Sequence, residues 1–335
     1  MPGVIQPGIV GTVQDIADSV FLFQAEDHPF LAALKKGPPP RQEIHQFQMG
    51  KRNNVDKRGV RDGKDVDRFR ESEERGILET NSHWIREQYF VGKKAQTFTD
   101  VAGRKDLLQN EIMNTITMVK TGISEVMLDD EDQRDEATND LGSETRGFGS
   151  WISSTAQSVR PVPEKFLTPA AQIYTGAFAD ITEKTFKNIL ASLWKTSRSR
   201  KRYVAWCGID LKGLVSDWSI HIPNQTSQTA VRSFDQNADA RSLVAVINVL
   251  ECDGGTIEMH LEPNLRKSRD GGGDMTTASN RSAFIMDMDS CESMWAQKPQ
   301  RGRLPDGGGG QRGYVDAIFA TKCFPTNHGK IVPGS

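Results

Sequence analysis

The chain is short of nearly every pattern that announces an enzyme. Its four cysteines, Cys207, Cys252, Cys291 and Cys323, lie at least 32 residues apart. No C-x-x-C pair exists, which excludes a zinc ribbon and a thioredoxin-type dithiol site. The six histidines are scattered and no H-E-x-x-H is present. Hydrophobic residues make up 36%, below the ~45–50% of an average globular chain, a class that also counts glycine. No run approaches the ~18–20 apolar residues of a membrane span, and the first residues lack the basic start and apolar run of a signal peptide. Charge of one sign is missing too: 42 basic residues face 44 acidic ones, for a net charge of −2. That balance argues against both an acidic disordered tail and a basic nucleic-acid binder. What the sequence does have is loop: 30 Gly and 15 Pro. Its 335 residues allow two or three domains, or one elaborated domain, at ~100–200 residues each.

Read in order, the chain opens with an extended arm. A weak helical pattern (Val13, Ile16, Val20) is followed by an apolar cluster at Phe30, Leu31 and Leu34, and Gly37 with Pro38–Pro40 ends the unit. The arm is too small to bury both clusters and must lean on another domain or another chain. Ile44, Phe47 and Met49 predict a strand, and Trp84, Ile85, Tyr89, Phe90 and Val91 a second. Between them, residues 50–76 carry 16 charges in 27 positions, nine basic and seven acidic, and cannot make a core of their own. Two readings fit: a long hairpin arm projecting from the body, or an unstructured surface loop. The interspersed signs favour a surface that meets a complementary charged one.

From Asp100 to Asp132 the pattern turns helical, with Leu108, Ile112, Ile116, Val119, Ile123 and Val126 on one face. About 30 residues at 1.5 Å each make a rod of roughly 45 Å. The acidic run Asp129–Asp132 opposes the helix dipole, so the rod is expected to fray there. A loop-rich stretch follows, holding Phe148, Trp151 and Ile152. The spacing then predicts a helix over 182–196, capped by Thr182 or Thr185, a strand over 203–208 and a short helix over 209–218. The last third reads as strands: 243–250, a hairpin partner at 256–262 across the turn Asp253-Gly254-Gly255, 283–290 and 314–324.

Chemistry is hard to find. The tracts Gly271–Gly273 and Gly307–Gly310 lack the Lys-Ser or Lys-Thr of a P-loop. Gly147-Phe148-Gly149-Ser150 is not a nucleophile elbow. Arg198, Arg200, Lys201 and Arg202 could touch phosphates, or could simply sit at a solvated helix end. Glu258, His260 and Glu262 alternate along one strand and could hold a metal. The competing reading is the polar face of an amphipathic strand, opposite Ile257, Met259 and Leu261.

Arm, charged hairpin, rod-like helix, then a mixed region closed by strands: this order resembles the major capsid proteins of tailed bacteriophages, the Hong Kong 97 type fold. The segments that carry the likeness are D-I-A-D and E-D-H-P-F-L-A-A-L within 15–34, F-V-G-K-K-A-Q-T-F (90–98), A-G-R-K-D-L-L-Q-N-E-I (102–112) and the closing strand 314–323. The likeness is greatest to a short branch without an N-terminal scaffolding region.

The resemblance implies an α+β capsid fold in five parts: an N-terminal arm (1–40), an extended loop with the start of a peripheral domain (41–95), the spine helix with peripheral-domain loops (96–180), an axial domain (181–300), and a closing strand with the C-terminal tail (301–335). It implies a non-enzymatic subunit with no cofactor that self-assembles into hexamers and pentamers around double-stranded DNA, without sequence-specific contacts and without a membrane. Separate scaffolding, portal and decoration proteins are the further partners expected, and the virion capsid, assembled in the host cytoplasm, is the expected location. On this reading Arg61, Asp65, Arg68 and Glu71 are candidate intersubunit contacts, each pair worth ~0–1 kcal/mol if exposed. Two other expectations compete: an encapsulin-like shell of the same fold, and a metal-dependent hydrolase built on Glu258, His260 and Glu262.

Overall fold

A computed structural model describes residues 28–55, 57–65, 69, 71–97, 107–137, 141–218, 247–267, 269, 276–305 and 307–334. Twelve strands run along these segments: β1 (Lys35–Lys36), β2 (Ile44–Arg52), β3 (Glu73–Asn81), β4 (His83–Gly92), β5 (Ile173–Tyr174), β6 (Lys201–Cys207), β7 (Val249–Cys252), β8 (Gly255–Leu261), β9 (Ala283–Met286), β10 (Cys291–Arg303), β11 (Gly310–Cys323) and β12 (Gly329–Ile331). They form a four-stranded sheet in the order β1-β10-β11-β4, a six-stranded sheet in the order β5-β12-β9-β6-β8-β7, and the two-stranded ribbon β2-β3. The sheets do not follow chain order. β10 leaves the six-stranded sheet's stretch of chain to pair with β11, and β12 returns to it near the C-terminus. Among the described residues no helix is long and apolar enough to cross a membrane.

The long helix is described over Leu107–Met127; the expected start at Asp100 lies outside the described residues. Val119, Ile123 and Val126 are buried, and Leu108, Ile112 and Ile116 pack against the same core, so the expected face is the face used. It lies on β4 and β11, where Ile85 comes so close that a Cβ at Gly122 would sit 2.7 Å from its Cδ1. The six-stranded sheet has its own core, in which Phe186, Ile189, Leu190 and Leu193 of the helix Glu183–Ser197 pack against Tyr203, Ala205, Ile257 and Ile285. That helix starts where the sequence placed it, with Thr182 N–H donating to Thr185 Oγ1 (3.2 Å). The hairpin β7–β8 turns at Asp253-Gly254 as expected, but its first strand is Val249–Cys252 rather than 243–250, and residues 243–246 lie outside the described residues.

One further expectation changes. The strand His83–Gly92 does not pair with Ile44–Arg52; it pairs with β11, from Gly92↔Gly310 to His83↔Phe319. The true return strand of the hairpin is β3, in register from Ile44↔Asn81 to Arg52↔Glu73. Only Ser82 separates β3 from β4, so one extended stretch serves two sheets. The Phe30 cluster takes the first of the two expected supports, another part of the same chain, while Val13, Ile16 and Val20 lie outside the described residues. Phe30 is fully buried, edge-on to Phe148 (5.6 Å) and Trp206 (5.4 Å). Its N–H donates to the buried carboxylate of Glu262 (3.1 Å).

Candidate functional site

The charged hairpin is packed at its base and exposed towards its tip, where polar ties reach the body: Lys165 pairs with Glu74 (3.1 Å) and Arg198 Nη2 donates to Asn54 Oδ1 (3.4 Å). At its base, the cross-strand neighbours Phe47 and Leu78 are buried, and Phe47 packs on Trp151 (5.8 Å) and Phe324 (5.7 Å). A strand pair needs such a face to be stable in water. Beyond Met49 no residue of β2 is buried, nor any residue of β3 from Glu73 to Ile77. The end of the ribbon is tied by Asn53 N–H to Ser72 O (3.0 Å) and Asn53 Nδ2 to Glu71 O (3.0 Å). A turn in which Lys64 N–H donates to Arg61 O (3.2 Å) follows, with Gly63 at φ +77°.

Arg61, Asp65 and Glu71 are exposed in this tip; Arg68 lies outside the described residues. The sequence pattern points to these charges, but apolar groups stand among them. Val55 is 82% exposed, Val60 78% and Phe69 92%. Three large apolar side chains standing in water on one loop are far from the isolated exposed leucine that surfaces tolerate.

The second feature lies where the long helix ends. The helix stops at Met127 rather than running to Asp132, in line with the opposed dipole, and Asp129–Asp132 beyond it form the hub of a largely buried charge network. Asp129 is paired with Arg269, both almost wholly buried, and accepts from its Nη2 (3.1 Å). Arg269 also donates to Glu144 (2.9 Å) and to Thr145 O (2.8 Å). Asp130 is paired with Arg266 and Lys330, and Asp132 with the fully buried Arg146 (2.7 Å). Arg146 in turn donates to Val159 O (2.7 Å) and Arg160 O (3.0 Å). The penalty of placing carboxylates at a helix C-terminus is offset because cations from three segments, Arg146, Arg266 with Arg269, and Lys330, converge there.

Gly147 and Gly149 make the approach possible. A Cβ on Gly147 would sit 1.8 Å from Asp129 Oδ1, and one on Gly149 2.1 Å from Asp130 Oδ1. The stretch that fails as a nucleophile elbow is the wall of this hub. Burial pushes the Asp129 carboxyl up to about 7 against the pull of Arg269. Burial also lowers the Lys330 ammonium, despite Asp130 beside it. The only sequence signal was an acidic run directly after an apolar helix face.

Beside the hub, burial and the positive charges of Arg269 and Arg134 lower the His83 imidazole to about 4. Its Nδ1 has no hydrogen-bond partner among the described residues.

The possible metal strand separates in space. Glu258 is paired with Arg202, His260 lies against Trp206 with the rings tilted (5.3 Å), and Glu262 is turned inward to Phe30 and to Asn264 N–H (3.2 Å). All three have protein partners and they do not converge, so the hydrolase reading loses its ligands.

The arrangement therefore joins a body pinned by the hub to a ribbon whose tip buries no side chain among the described residues. A family model described as SU10 major capsid protein matches residues 5–332. Solved structures share the fold. The capsid asymmetric unit of cyanophage A-1(L) has a TM-score of 0.68 at 12% identity, covering 98% of this chain and 99% of that one. The capsid of cyanophage P-SCSP1u has 0.61 at 8%, covering 96% and 93%. The capsid of Myoviridae phage XM1 has 0.54 at 11%, covering 99% and 96%. No curated protein matches the chain.

Proposed function

Since the chain belongs to the SU10 major capsid protein family and is a capsid-forming structural protein of the virion shell, we propose that its hairpin is the intersubunit clasp of that shell. Hexamers and pentamers of the subunit close into an icosahedral head around double-stranded DNA, and segment 41–95 lies over a neighbouring subunit. The observation that carries this reading is the tip itself. Val55, Val60 and Phe69 are exposed among dense charges of both signs, on a ribbon whose buried side chains all lie at its base. Burying three such side chains against a neighbour is worth roughly 1.5–3 kcal/mol each, more than the ion pairs around them. Arg61, Asp65, Arg68 and Glu71 then set register and partner choice.

The five-part division expected from the sequence goes with this proposal: arm 1–40, extended loop 41–95, spine and peripheral loops 96–180, axial domain 181–300, closing strand and tail 301–335. Scaffolding, portal and decoration proteins are separate partners, assembly takes place in the host cytoplasm, and no catalysis is assigned. Near-neutral charge suits a container, because a strongly basic wall would grip the packaged DNA.

Crosslinking of shells assembled from a mixture of isotope-labelled and unlabelled subunits tests the clasp. Mixed-label links from Lys57 or Lys64 at the tip to another subunit are expected; tip links that are always of one label would overturn it.

A further inference from the structure

Cys291 and Cys323 meet although 32 residues separate them. They are directly opposite in the β10–β11 ladder, one at the first position of β10 and the other at the last of β11. The next pair outward, Ser290 and Phe324, is joined by Phe324 N–H to Ser290 O (3.2 Å). Because the two kinds of pair alternate, Cys291 and Cys323 occupy a non-hydrogen-bonded site, where opposed Cα atoms lie ~4.5 Å apart. That separation falls inside the ~4.4–6.8 Å range a disulfide spans. Both thiols are free and fully buried, with their sulfurs 3.9 Å apart.

A third group joins them: His328, also fully buried, has its Nε2 3.5 Å from Cys291 Sγ. The three ligand atoms lie within 4.8 Å of one another, the one such group of three among the described residues. The ring's other nitrogen decides what the cluster can do. His328 Nδ1 accepts from Asp287 N–H (3.1 Å), so the neutral imidazole carries its proton on Nε2. A proton, not a lone pair, faces the sulfur. Such a ring stabilises a thiolate by donating to it and does not ligate a metal through that atom.

We propose that Cys291 and Cys323 form a latent cross-strand disulfide that closes when the assembled subunit passes from a reducing to an oxidising medium. With a low-molecular-weight disulfide as oxidant, the Cys291 thiolate attacks one of its sulfurs and expels one thiol. The Cys323 thiolate then displaces the second, so that two protein thiols and one oxidised disulfide give one protein disulfide and two small thiols. Burial and the adjacent Cys323 thiol raise the Cys291 thiol well above its ordinary value, so closure proceeds through fraying of the strand ends. The staple would sit one residue from Phe324, which packs on Phe47 at the base of the hairpin. It thereby fixes the hairpin's root. The timing rests on the capsid reading, because virion surfaces hold disulfides that the cytosol does not; the chemistry does not.

The test uses purified full-length chain, assembled or not, kept reduced or equilibrated with oxidised glutathione, each with and without mild urea to open the strand ends. After denaturing alkylation and digestion, the oxidised sample should carry two alkylated cysteines in place of four, and a linked peptide pair containing Cys291 and Cys323. Oxidation should raise the melting midpoint by about 4 °C. C323S should lose that redox-dependent difference, while C252S should keep it. Four alkylated cysteines under every condition would overturn the proposal. So would one tightly bound zinc per chain in the reduced protein, released together with both thiols.

Discussion

His83 offers a pH dependence whose sign and size follow from its surroundings. The ring lies against Phe319 (5.3 Å) and its pKa is lowered from 6.5 to about 4 by burial and by Arg269 and Arg134. The unfolded chain therefore takes up a proton at pH 6.5 while the folded chain resists until about 4. The stability contributed by the neutral ring is complete above 6.5 and is lost as pH falls through that window. At 1.36 kcal/mol per unit, the full loss is about 3 kcal/mol, with about 2 kcal/mol gone by pH 5. For 335 residues at ~2.1 cal/mol/K each, the pH 5 loss lowers the melting midpoint by about 3 °C. Asp129, pushed up to about 7 by burial, acts in the opposite sense: its contribution falls as pH rises towards 7. The raw pH curve mixes both groups, so the comparison is between wild type and His83→Phe, which keeps an aromatic ring against Phe319. Melting of the two from pH 8 to pH 4 should show the variant gaining relative to wild type by about 3 °C at pH 5, with no relative change above pH 7. Parallel curves throughout would refute the assignment of a buried neutral imidazole.

Other consequences follow from the hub and the core. Arg269→Met leaves Asp129 buried without its partner and should cost about 3–5 kcal/mol in denaturant unfolding, while Arg269→Met combined with Asp129→Asn should recover most of it. Gly147→Ala drives a methyl into the Asp129 carboxylate and carbonyl and should cost about 2–3 kcal/mol, seen as a lowered midpoint with unchanged m-value. Leu78→Ala, at the buried root of the hairpin, should cost about 2–5 kcal/mol and reduce the yield of shells more than that of soluble subunit.

Periodic segments were legible in the sequence. The face of the long helix, the helix 183–197 with its threonine cap and the β7–β8 hairpin all follow from spacing and turn residues, which are local. Pairing between distant strands was not. Glu73–Asn81 reads as charged loop because its outer half is in water, and only its partner β2 makes it a strand. The hub was hidden for the same reason: Arg146, Arg266 with Arg269, and Lys330 come from three segments, and no local pattern joins them to Asp129–Asp132. The candidate metal strand failed because alternation shows which way side chains point and says nothing of what already holds them. At the tip the charge pattern is local and legible, whereas the exposure of Val55, Val60 and Phe69 depends on how the ribbon stands from the body.

The central claim is that this subunit builds a shell and that the hairpin tip clasps a neighbour. Negative-stain imaging and light scattering of the purified full chain, beside a variant in which 53–72 is replaced by a two-residue turn, test it most directly. Closed shells or capsomer rings are expected from the full chain, and a folded, unassembled subunit from the variant. A full chain that stays monomeric in every condition, or a variant that assembles as well as the full chain, would contradict the account.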